Sequence, residues 1–528
     1  MMQRRNFLRS FSAASLGGFA VRGFGNPLLR PVFDRAGEDR VLVIVQLYGG
    51  NDGLNTVIPL DQYGVLSDVR SNVLIPEADV LGLQGLDGLT GLHPAMEGMR
   101  HLWDDGKLAI VQGVGYPDPD YSHFRSTDIW ETGANSDQLL DSGWAGRFLH
   151  FEYPNYPEGY PNETMPDPLA IRIGAPISIG LQHIGVSMGA SIYNTEDSLD
   201  LTGNLFNDPV TADCRGSKLD FARTVQQQTD LYGNVIQAAA LPGCNLSTLY
   251  PTGDQPGAEL ARALKIVAQL ICGGLKTRVY WVSISGFDTH SEQVDNSDHT
   301  VGAHAELLQG LSDSIAAFQD DVQLLGIDDR VLGMTFSEFG RRIRSNNSRG
   351  TDHGAAAPMF LFGTKVVPGM LGNNPEIPVD TNVNTNLPMQ YDFRSVYASV
   401  LKDWFCMEAA DIDTVLLDIY QPLSLIDPSG CLGTDIHELN QGAGISLLDI
   451  YPSPFTESTT VRFTSRGGRV MLQVFNASGQ LVRKLINADM PAGTHTVVCD
   501  LGDMPAGPYY CRLQNGSRQQ VKNLLKVR

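Results

Sequence analysis

The sequence predicts a doubly wound α/β domain with a mostly parallel sheet, followed by a small all-β sandwich at the C-terminus. Four continuous apolar runs predict the sheet, because strands covered on both faces lack the alternation of half-exposed strands. These runs are Val41–Leu47, Leu108–Val114, Val279–Ser285 and Val331–Phe336. Helical patterns at Ala258–Leu275 and Val301–Leu325 lie between successive runs. Such alternation of strands and helices is typical of doubly wound folds.

Composition and charge limit the classes of partner. The chain has 528 residues, of which 42% are hydrophobic and 18% are charged, as in ordinary globular proteins. Its net charge of −21 disfavours nucleic acid and anionic membrane surfaces. Residues 448–528 hold 10 Lys and Arg against 5 Asp and Glu, so the acidity belongs to the rest of the chain and indicates two modules. Beyond the N-terminus, no apolar run approaches the ~18 residues of a membrane-spanning helix.

The N-terminus has the pattern of an export signal. Arg4-Arg5 is followed by Phe7-Leu8, and the stretch Phe11–Val21 is weakly apolar and rich in Ala, Ser and Gly. This pattern resembles the twin-arginine (Tat) signal of bacterial proteins that fold before they cross the membrane. We therefore expect residues 1–32 to be a signal peptide that the Tat machinery recognises.

The C-terminal module, residues 448–528, follows a predicted linker at residues 427–447. Short strand patterns recur about every 8–12 residues and are separated by turn signals such as Arg466–Gly468 and Pro491–Gly493, which predicts a β-sandwich. The motifs Tyr451–Phe455 and Ala506–Tyr510 resemble the type A sorting domain of the type IX secretion system. The resemblance implies transfer through the periplasm to the cell surface or the medium, with the type IX machinery as a partner. An adhesive or carbohydrate-binding sandwich is the alternative.

The chain has seven cysteines, which suit an oxidising compartment. Cys499 and Cys511 fall on strands predicted to be neighbours, so the two could form a disulfide. Two other pairs are alternatives, namely Cys406 with Cys431 and Cys214 with Cys244. Cys272 lies in an apolar helical pattern, which predicts a buried free thiol.

Polar motifs follow each predicted strand of the α/β domain. In chain order they are Asp52, then Ser122 and His123, then Asp288 and His290, then Glu338, with Asp352 and His353 shortly afterwards. Because the carboxyl ends of parallel strands share one edge of a sheet, these side chains should converge. Crowded carboxylates repel, and bound divalent cations remove that cost. The motifs predict one or two metal ions, and the histidines favour zinc or manganese over calcium.

The same motifs connect residues 40–426 with a known family. The segments concerned are Gly49–Thr56, Ser122–Phe124, Gly286–His290, Phe336–Arg341 and Gly350–Gly354. They resemble the sulfatase-like, Tat-exported bacterial family of unknown function in the alkaline-phosphatase-like superfamily. The resemblance implies that metal is bound by Asp52, Asp288, His290, Glu338, Asp352 and His353. It also implies that Ser122 is a nucleophile activated by the metal, with His123 beside it as a donor to the developing negative oxygen.

Several assignments stay open at this point. Ser126 and Thr127 are rival nucleophiles, because they also precede a helical stretch whose N-terminus favours an anion. His304 is either a group that supports the site or an ordinary histidine on a helix surface. Residues 155–257 are expected to form a cap or insertion beside the site. The formylglycine signature of true sulfatases, Cys or Ser followed by x-Pro-x-Arg, is absent, which argues against their mechanism.

The motifs and the resemblance together predict an exported, metal-dependent hydrolase of phosphate or sulfate esters. Its substrates would be small anionic esters or sulfated or phosphorylated glycans. One alternative is a surface binding protein on the same scaffold that has lost turnover. Another is a metal-dependent hydrolase or transferase of a different kind.

Overall fold

The computed structural model describes residues 39–194, 232–240, 245–431, 446–451, 455–476, 480–515 and 518–527. The predicted signal peptide, Cys214, Cys244 and most of the predicted linker lie outside the described residues. Within the described residues, no helix combines the length and the apolar composition needed to cross a membrane.

The α/β domain is built from short and long strands with helices between them. Its strands are β1 (Val41–Tyr48), β2 (Val57–Pro59), β3 (Leu81–Gly82), β4 (Thr90–Leu92), β5 (Leu108–Gly115), β6 (Ala170–Ile173), β7 (Gln182–His183), β8 (Val186–Ser187), β9 (Ala190–Ile192), β10 (Val279–Ser285), β11 (Val331–Ser337), β12 (Arg341–Ser345), β13 (Thr351–His353), β14 (Ala357–Phe362), β15 (Gly369–Leu371) and β16 (Tyr391–Asp392). Its helices are α1 (Gly53–Thr56), α2 (Tyr63–Arg70), α3 (Glu97–Asp104), α4 (His123–Thr132), α5 (Trp144–Glu152), α6 (Ala258–Cys272), α7 (Ala303–Leu324), α8 (Phe393–Ser399) and α9 (Ala409–Leu416). A π-helical turn, Val400–Trp404, follows α8, and residues 232–240 are also helical.

The main sheet has nine strands in the order β15-β5-β14-β11-β1-β10-β6-β9, with β16 also paired to β5. Strand β1 lies between β10 and β11 and is parallel to both. Strand β14 is antiparallel to its neighbours β11 and β5, so β5 runs in the same direction as β11 and β1. All four predicted strands are therefore present and end at the same edge. The prediction of an α/β domain with a mostly parallel sheet is confirmed.

Alternate side chains of β1 enter two hydrophobic cores, one on each face of the sheet. Val43 packs in the core that contains Leu264 of α6. Ile44 packs in the core that contains Trp144 of α5 and Tyr397 of α8. A strand buried on both faces needs an apolar side chain at each position, which explains the continuous apolar run. Each such side chain contributes about 1.5–3 kcal/mol of burial free energy.

Residues 155–257, for which the sequence predicts a cap or insertion, also contribute to the main sheet. Strand β6 is parallel to β10, and β9 is parallel to β6. Strand β6 has only four residues and includes a buried arginine, Arg172. It therefore lacks the continuous apolar signature that identifies the longer strands.

The C-terminal module contains β17 (Ser446–Tyr451), β18 (Ser458–Asn476), β19 (Leu481–Asp500), β20 (Gly507–Asn515) and β21 (Arg518–Lys526). Hydrogen bonds join them into one antiparallel sheet in the order β17-β18-β20-β21, with β19 also paired to β18. The buried side chains of this module form a hydrophobic core of their own. The all-β prediction is confirmed, but the strands form one continuous sheet where the sequence predicts the two sheets of a sandwich.

Two predicted turns of this module lie within strands. They face each other in the long β18–β19 pair, where Ser465 lies opposite Gly493 and Arg466 lies opposite Ala492. Gly467 has a φ of 90°, which glycine adopts readily, so the strand can bend without ending. The hydrogen bonding between β18 and β19 therefore continues through the Gly-rich segments. Each of these long strands replaces two short strands that the sequence predicts.

The structure corrects two of the cysteine predictions. Cys499 on β19 and Cys511 on β20 are buried free thiols. Their strands are not neighbours, because both pair with β18. Cys272, predicted as a free thiol, is disulfide-bonded. Cys406 and Cys431 form a disulfide, which confirms one of the alternative pairs.

A buried polar cluster lies just beyond the carboxyl end of β1. Asp52 pairs there with Arg70 of α2, and both side chains are almost completely inaccessible. Asp52 also accepts a hydrogen bond from Gln293. His304 of α7 is 1% exposed, which corrects the alternative of a helix-surface histidine, and it packs edge to face on His93. Burial lowers the pKa of His304 to about 4, and burial together with the nearby His304 lowers the pKa of His93 to about 3.

We expect the free energy of unfolding to fall as the pH drops below 6.5, the ordinary pKa of histidine. His93 and His304 stay neutral in the folded protein over this range, whereas in the unfolded chain both take up protons. Stability is therefore complete above that pH, and each histidine removes up to about 1.4 kcal/mol per pH unit below it. Urea unfolding at about pH 7 and about pH 5 measures the loss.

Two variants identify the source of this acid sensitivity. His93→Gln should lose less stability between the two pH values than the wild type does. The control His101→Gln changes an exposed histidine and should lose as much as the wild type. Equal losses in His93→Gln and wild type would exclude His93 as a source of the effect.

Candidate metal centre

The segments that follow β5, β10 and β11 bring most of the predicted site residues together. His123 is the first residue of α4, Asp288 and His290 follow β10, and Glu338 follows β11. His353 ends β13, which forms a hairpin with β12. Ligand atoms of His123, Asp288 and His353 lie within 4.8 Å of one another. His290 lies beside them, so four of the predicted residues form one group.

Asp288 is at the centre of this group. Its Oδ1 lies 3.1 Å from His290 Nε2 and 3.1 Å from His353 Nε2. Its Oδ2 lies 3.4 Å from His123 Nε2. The Nε2 atoms of His290 and His353 are 2.9 Å apart. Three imidazole rings therefore direct the same ring nitrogen toward one carboxylate.

The other ring nitrogen, Nδ1, is anchored in each histidine. The three Nδ1 contacts are from His123 to Glu338 Oε1 at 2.8 Å, from His290 to Asp352 Oδ1 at 3.0 Å, and from His353 to the Tyr121 carbonyl oxygen at 2.8 Å. Ionised carboxylates and carbonyls only accept hydrogen bonds, so each Nδ1 carries a proton and each Nε2 of a neutral ring presents a lone pair. Histidines that bind metals are oriented in this way by outer carboxylates and carbonyls.

Lone pairs that converge on a carboxylate repel one another unless a cation lies among them. A proton or a metal ion can supply the positive charge. Burial lowers the pKa of His353, which disfavours the proton. Three nitrogens and one carboxylate oxygen suit zinc or manganese, whereas calcium prefers a shell of oxygens. The residues of this group therefore fit a divalent transition-metal ion.

Arg341, whose side chain is fully buried, keeps Asp288 in its charged form. The guanidinium donates to Asp288 Oδ1 at 2.7 Å and to the carbonyl oxygens of Phe287 and Thr351 at 2.9 Å and 2.7 Å. Burial acts to raise the pKa of Asp288, but the hydrogen bond from Arg341 and the charge of its guanidinium outweigh burial and lower the pKa. Asp288 is therefore ionised, as a metal ligand must be.

Glu338 and Asp352, which the sequence predicts as metal ligands, contact the group through histidine Nδ1 atoms. Glu338 is fully buried, and its Oε1 accepts from the Gly49 backbone N–H at 2.8 Å as well as facing His123 Nδ1. Asp352 Oδ1 faces His290 Nδ1. In this geometry the two carboxylates orient the His123 and His290 rings.

Asp52, which the sequence also predicts as a metal carboxylate, lies outside the group. Its Oδ2 contacts Arg70, and it accepts from Gln293 Nε2 at 2.6 Å. Burial acts to raise the pKa of Asp52, but the Arg70 guanidinium and the other partners outweigh it and lower the pKa. A side chain thus neutralises Asp52, which removes the physical reason for placing a metal ion there.

The three candidate nucleophiles occupy different environments on α4. Ser122 is the N-cap residue, with an exposed side chain that makes no capping hydrogen bond. Ser126 is buried, and its hydroxyl bonds with Tyr116 Oη at 3.0 Å and donates to the Asp120 carbonyl at 2.6 Å. Thr127 is partly exposed. Ser126 is therefore committed to holding the preceding loop, whereas the other two hydroxyls face more open surroundings.

A cleft of 460 Å³ opens beside the group. Its lining consists of Tyr48, Gly49, His123, Phe124, Thr127, Ser285, Gly286, Asp288 and Glu338. Phe124 is 91% exposed, so an aromatic ring stands at the cleft next to His123. The volume is in the range of sites for small molecules.

The sequence patterns do not indicate roles for Arg341, Arg70 or Gln293. Arg341 does lie inside the predicted motif Phe336–Arg341. Its position in that motif is the one sequence feature that could have indicated a role at the site. Arg70 and Gln293 lie 18 and 241 residues from Asp52 in the chain. Their roles depend on contacts that no local pattern reports.

Two parts of the chain match known protein families. Residues 206–416 match the family described as Protein of unknown function (DUF1501). Residues 449–527 match the Secretion system C-terminal sorting domain. This domain indicates export to the cell surface or secretion, and interaction with the type IX secretion machinery. A comparison with curated proteins gives no match.

Three solved structures are similar to the chain at low identity. One is a Bacteroides thetaiotaomicron protein from work on glycosaminoglycan metabolism, with 8% identity, a TM-score of 0.34 and coverage of 84% of this chain and 89% of that chain. Another is an alkaline phosphatase superfamily protein from Vibrio parahaemolyticus, with 9% identity, a TM-score of 0.27 and coverage of 85% of this chain and 82% of that chain. The third is a phosphonate monoester hydrolase from Silicibacter pomeroyi, with 10% identity, a TM-score of 0.32 and coverage of 92% of this chain and 89% of that chain. These similarities are too low to assign a fold family or an activity to this chain.

Proposed function

We propose that the chain is an exported, divalent-metal-dependent hydrolase of phosphate or sulfate esters. The observation that carries the proposal is the convergence of three histidine Nε2 atoms on the Asp288 carboxylate. His123, His290, His353 and Asp288 would hold the ion, and this donor set favours zinc or manganese. The strand-end motifs that resemble the alkaline-phosphatase-like superfamily support the choice of an ester substrate.

The charge and the size of the cleft suit an anionic ester. When bound, the ion would supply Lewis-acid stabilisation of the charge that develops on the ester oxygens. Helix α4 begins at His123, so the positive end of its dipole lies beside the cleft and favours an anion. Glu338 holds the His123 ring in the tautomer that leaves Nε2 unprotonated. The cleft has room for a small ester or for the terminal group of a sulfated or phosphorylated glycan.

We assign the role of nucleophile to Ser122, with Thr127 as its rival. Ser122 has an exposed hydroxyl and directly precedes His123, whose ring belongs to the metal group. Thr127 lines the cleft one turn further along α4. The buried contacts of Ser126 with Tyr116 and Asp120 make it a structural residue in this scheme.

Loss of the nucleophile should abolish turnover and leave stability unchanged. We expect Ser122→Ala to lower kcat by several orders of magnitude, with the melting temperature of the wild type because Ser122 makes no capping hydrogen bond. Hydrolysis of an aryl phosphate and an aryl sulfate in the presence of zinc or manganese gives kcat. Thermal unfolding gives the melting temperature.

The control for this experiment is Ser126→Ala. It removes two hydrogen bonds of a buried hydroxyl, each worth about 1 kcal/mol, so we expect a lower melting temperature and near-normal turnover of the folded protein. If Thr127→Val abolishes turnover while Ser122→Ala preserves it, the nucleophile is Thr127.

Natively exported protein should contain at least one divalent ion per chain by elemental analysis. His290→Ala and His353→Ala should each lower this content, because each removes one converging Nε2 atom. His101→Ala, at an exposed position on α3, is the matched control and should keep it. Chelation should remove ester hydrolysis, and added zinc or manganese should restore it.

Two results would change the assignment. A wild-type protein without metal would overturn the metal site. A protein that keeps its metal but hydrolyses no phosphate or sulfate ester would be a surface binding protein on this scaffold.

The C-terminal module should be required for delivery and dispensable for folding. We expect a variant without residues 448–528 to stay in the periplasm, while residues 40–426 unfold at the wild-type temperature because the module has a separate core. Cell fractionation and thermal unfolding of the truncated protein test the two parts. As the converse control, residues 448–528 fused to an unrelated periplasmic protein should carry it to the surface. Normal delivery of the truncated chain would refute the sorting role.

A further inference from the structure

We propose that Gln293 is a positioning residue that couples the two ligand-bearing loops of the metal centre, and that the Arg70–Asp52 pair fixes its orientation. One loop carries Asp288 and His290, and the other carries Asp352 and His353. The proposal rests on the proposed function, because it concerns the same metal site.

The Gln293 side chain is fully buried and bonded at both ends. Its Nε2 donates to Asp52 Oδ2 at 2.6 Å. Its Oε1 accepts from Thr289 Oγ1 at 3.1 Å and from Thr351 Oγ1 at 2.8 Å. One amide group therefore links the buried ion pair to both loops. Arg70 completes the chain of contacts on the other side of Asp52.

The two threonines are adjacent to residues that hold or orient the metal group. Thr289 stands between Asp288 and His290, and Thr351 directly precedes Asp352. The backbones of the loops are also joined, because the Thr351 N–H donates to the Thr289 carbonyl at 3.1 Å. A shift of Thr289 would move Asp288 and His290, and a shift of Thr351 would move Asp352, which holds the His290 ring. Metal ligands must be held to within about 0.5 Å to bind well.

The charge on Asp52 decides which way the Gln293 amide points. An ionised carboxylate only accepts hydrogen bonds, so it must face the NH₂ end of the amide. The oxygen end is then directed at Thr289 and Thr351, which must both donate. Arg70 keeps Asp52 ionised within the core. The Arg70–Asp52 pair has no atom in the metal group. It nevertheless determines which partner donates in each hydrogen bond of the Gln293 side chain.

The first test replaces the amide with an apolar side chain of similar length, Gln293→Met. We expect the dissociation constant for Zn²⁺ alone to rise about 10- to 100-fold, as when the outer partners of metal ligands are removed. In the metal-free protein, amide hydrogen exchange of residues 286–292 and 349–354 should become faster in both segments together. Gln319→Met is the matched control, since Gln319 is a buried glutamine on α7 outside the network, and it should leave both measurements unchanged.

The second test changes the polarity of the network. Gln293→Glu places a second carboxylate against Asp52, and we expect weaker Zn²⁺ binding than in Gln293→Met. The double variant Asp52→Asn with Gln293→Glu keeps one negative charge in the buried network, moved to position 293, and restores a donor–acceptor contact between the two side chains. It should bind Zn²⁺ more tightly than Gln293→Glu alone.

The outcomes separate this proposal from the proposed function. If Gln293→Met only lowers the melting temperature, with wild-type Zn²⁺ affinity and wild-type exchange in both segments, Gln293 is structural and the proposal is overturned. If the wild type binds no Zn²⁺, the metal site fails, and the exchange measurement still decides whether Gln293 couples the two loops.

Discussion

The candidate site depends on one buried guanidinium, that of Arg341, which binds several chain segments at once. It donates to the carbonyl oxygens of Gly49, Gly50, Phe287 and Thr351, and to the Asp288 carboxylate. Buried carbonyl oxygens need a donor, since each unpaired one destabilises the fold. An arginine offers five N–H groups in one plane, so a single side chain can satisfy the ends of β1 and β10 and the start of β13. The side chains of the candidate site converge because these segments are held together.

Close approach of the backbone makes this arrangement feasible. Gly49 and Gly50 have φ values of 120° and 86°. A Cβ atom on Gly49 would lie 2.2 Å from the Asp288 backbone nitrogen, and one on Gly50 would lie 2.3 Å from the Phe339 ring. The segment after β1 thus contributes backbone groups, and its two glycines leave room for the Asp288 backbone and the Phe339 ring. Asp52, which follows these glycines, is neutralised by Arg70. The two arginines have different effects. Arg70 forms a fully buried ion pair with Asp52, whereas Arg341 keeps Asp288 ionised and leaves it accessible to solvent.

The parts of this organisation that follow from a regular period could be predicted from the sequence. Continuous apolar runs identified β1, β5, β10 and β11, and parallel strands share an edge, so His123, Asp288, His290 and His353 could be expected to meet. The insertion of antiparallel β14 between β5 and β11 gives no such signal. The same holds for Asp52, whose metal role was inferred from its place after β1, because nothing in the sequence indicates that Arg70 would lie against it. In the C-terminal module, Gly467 and Gly493 indicated turns, but the two segments pair with each other, and only the partner strand reveals that.

The disulfide between Cys406 and Cys431 bears on the mechanics of export. Cys431 is the last described residue before the C-terminal module, so a force applied at Cys431 meets this bridge. The bridge passes the load through a covalent bond to Cys406, which lies two residues beyond Trp404, a side chain buried in the core. Residues 407–430 lie inside the loop that this bond closes, so they are shielded from that load. A force on Cys431 is therefore carried to the core of the α/β domain beside Trp404.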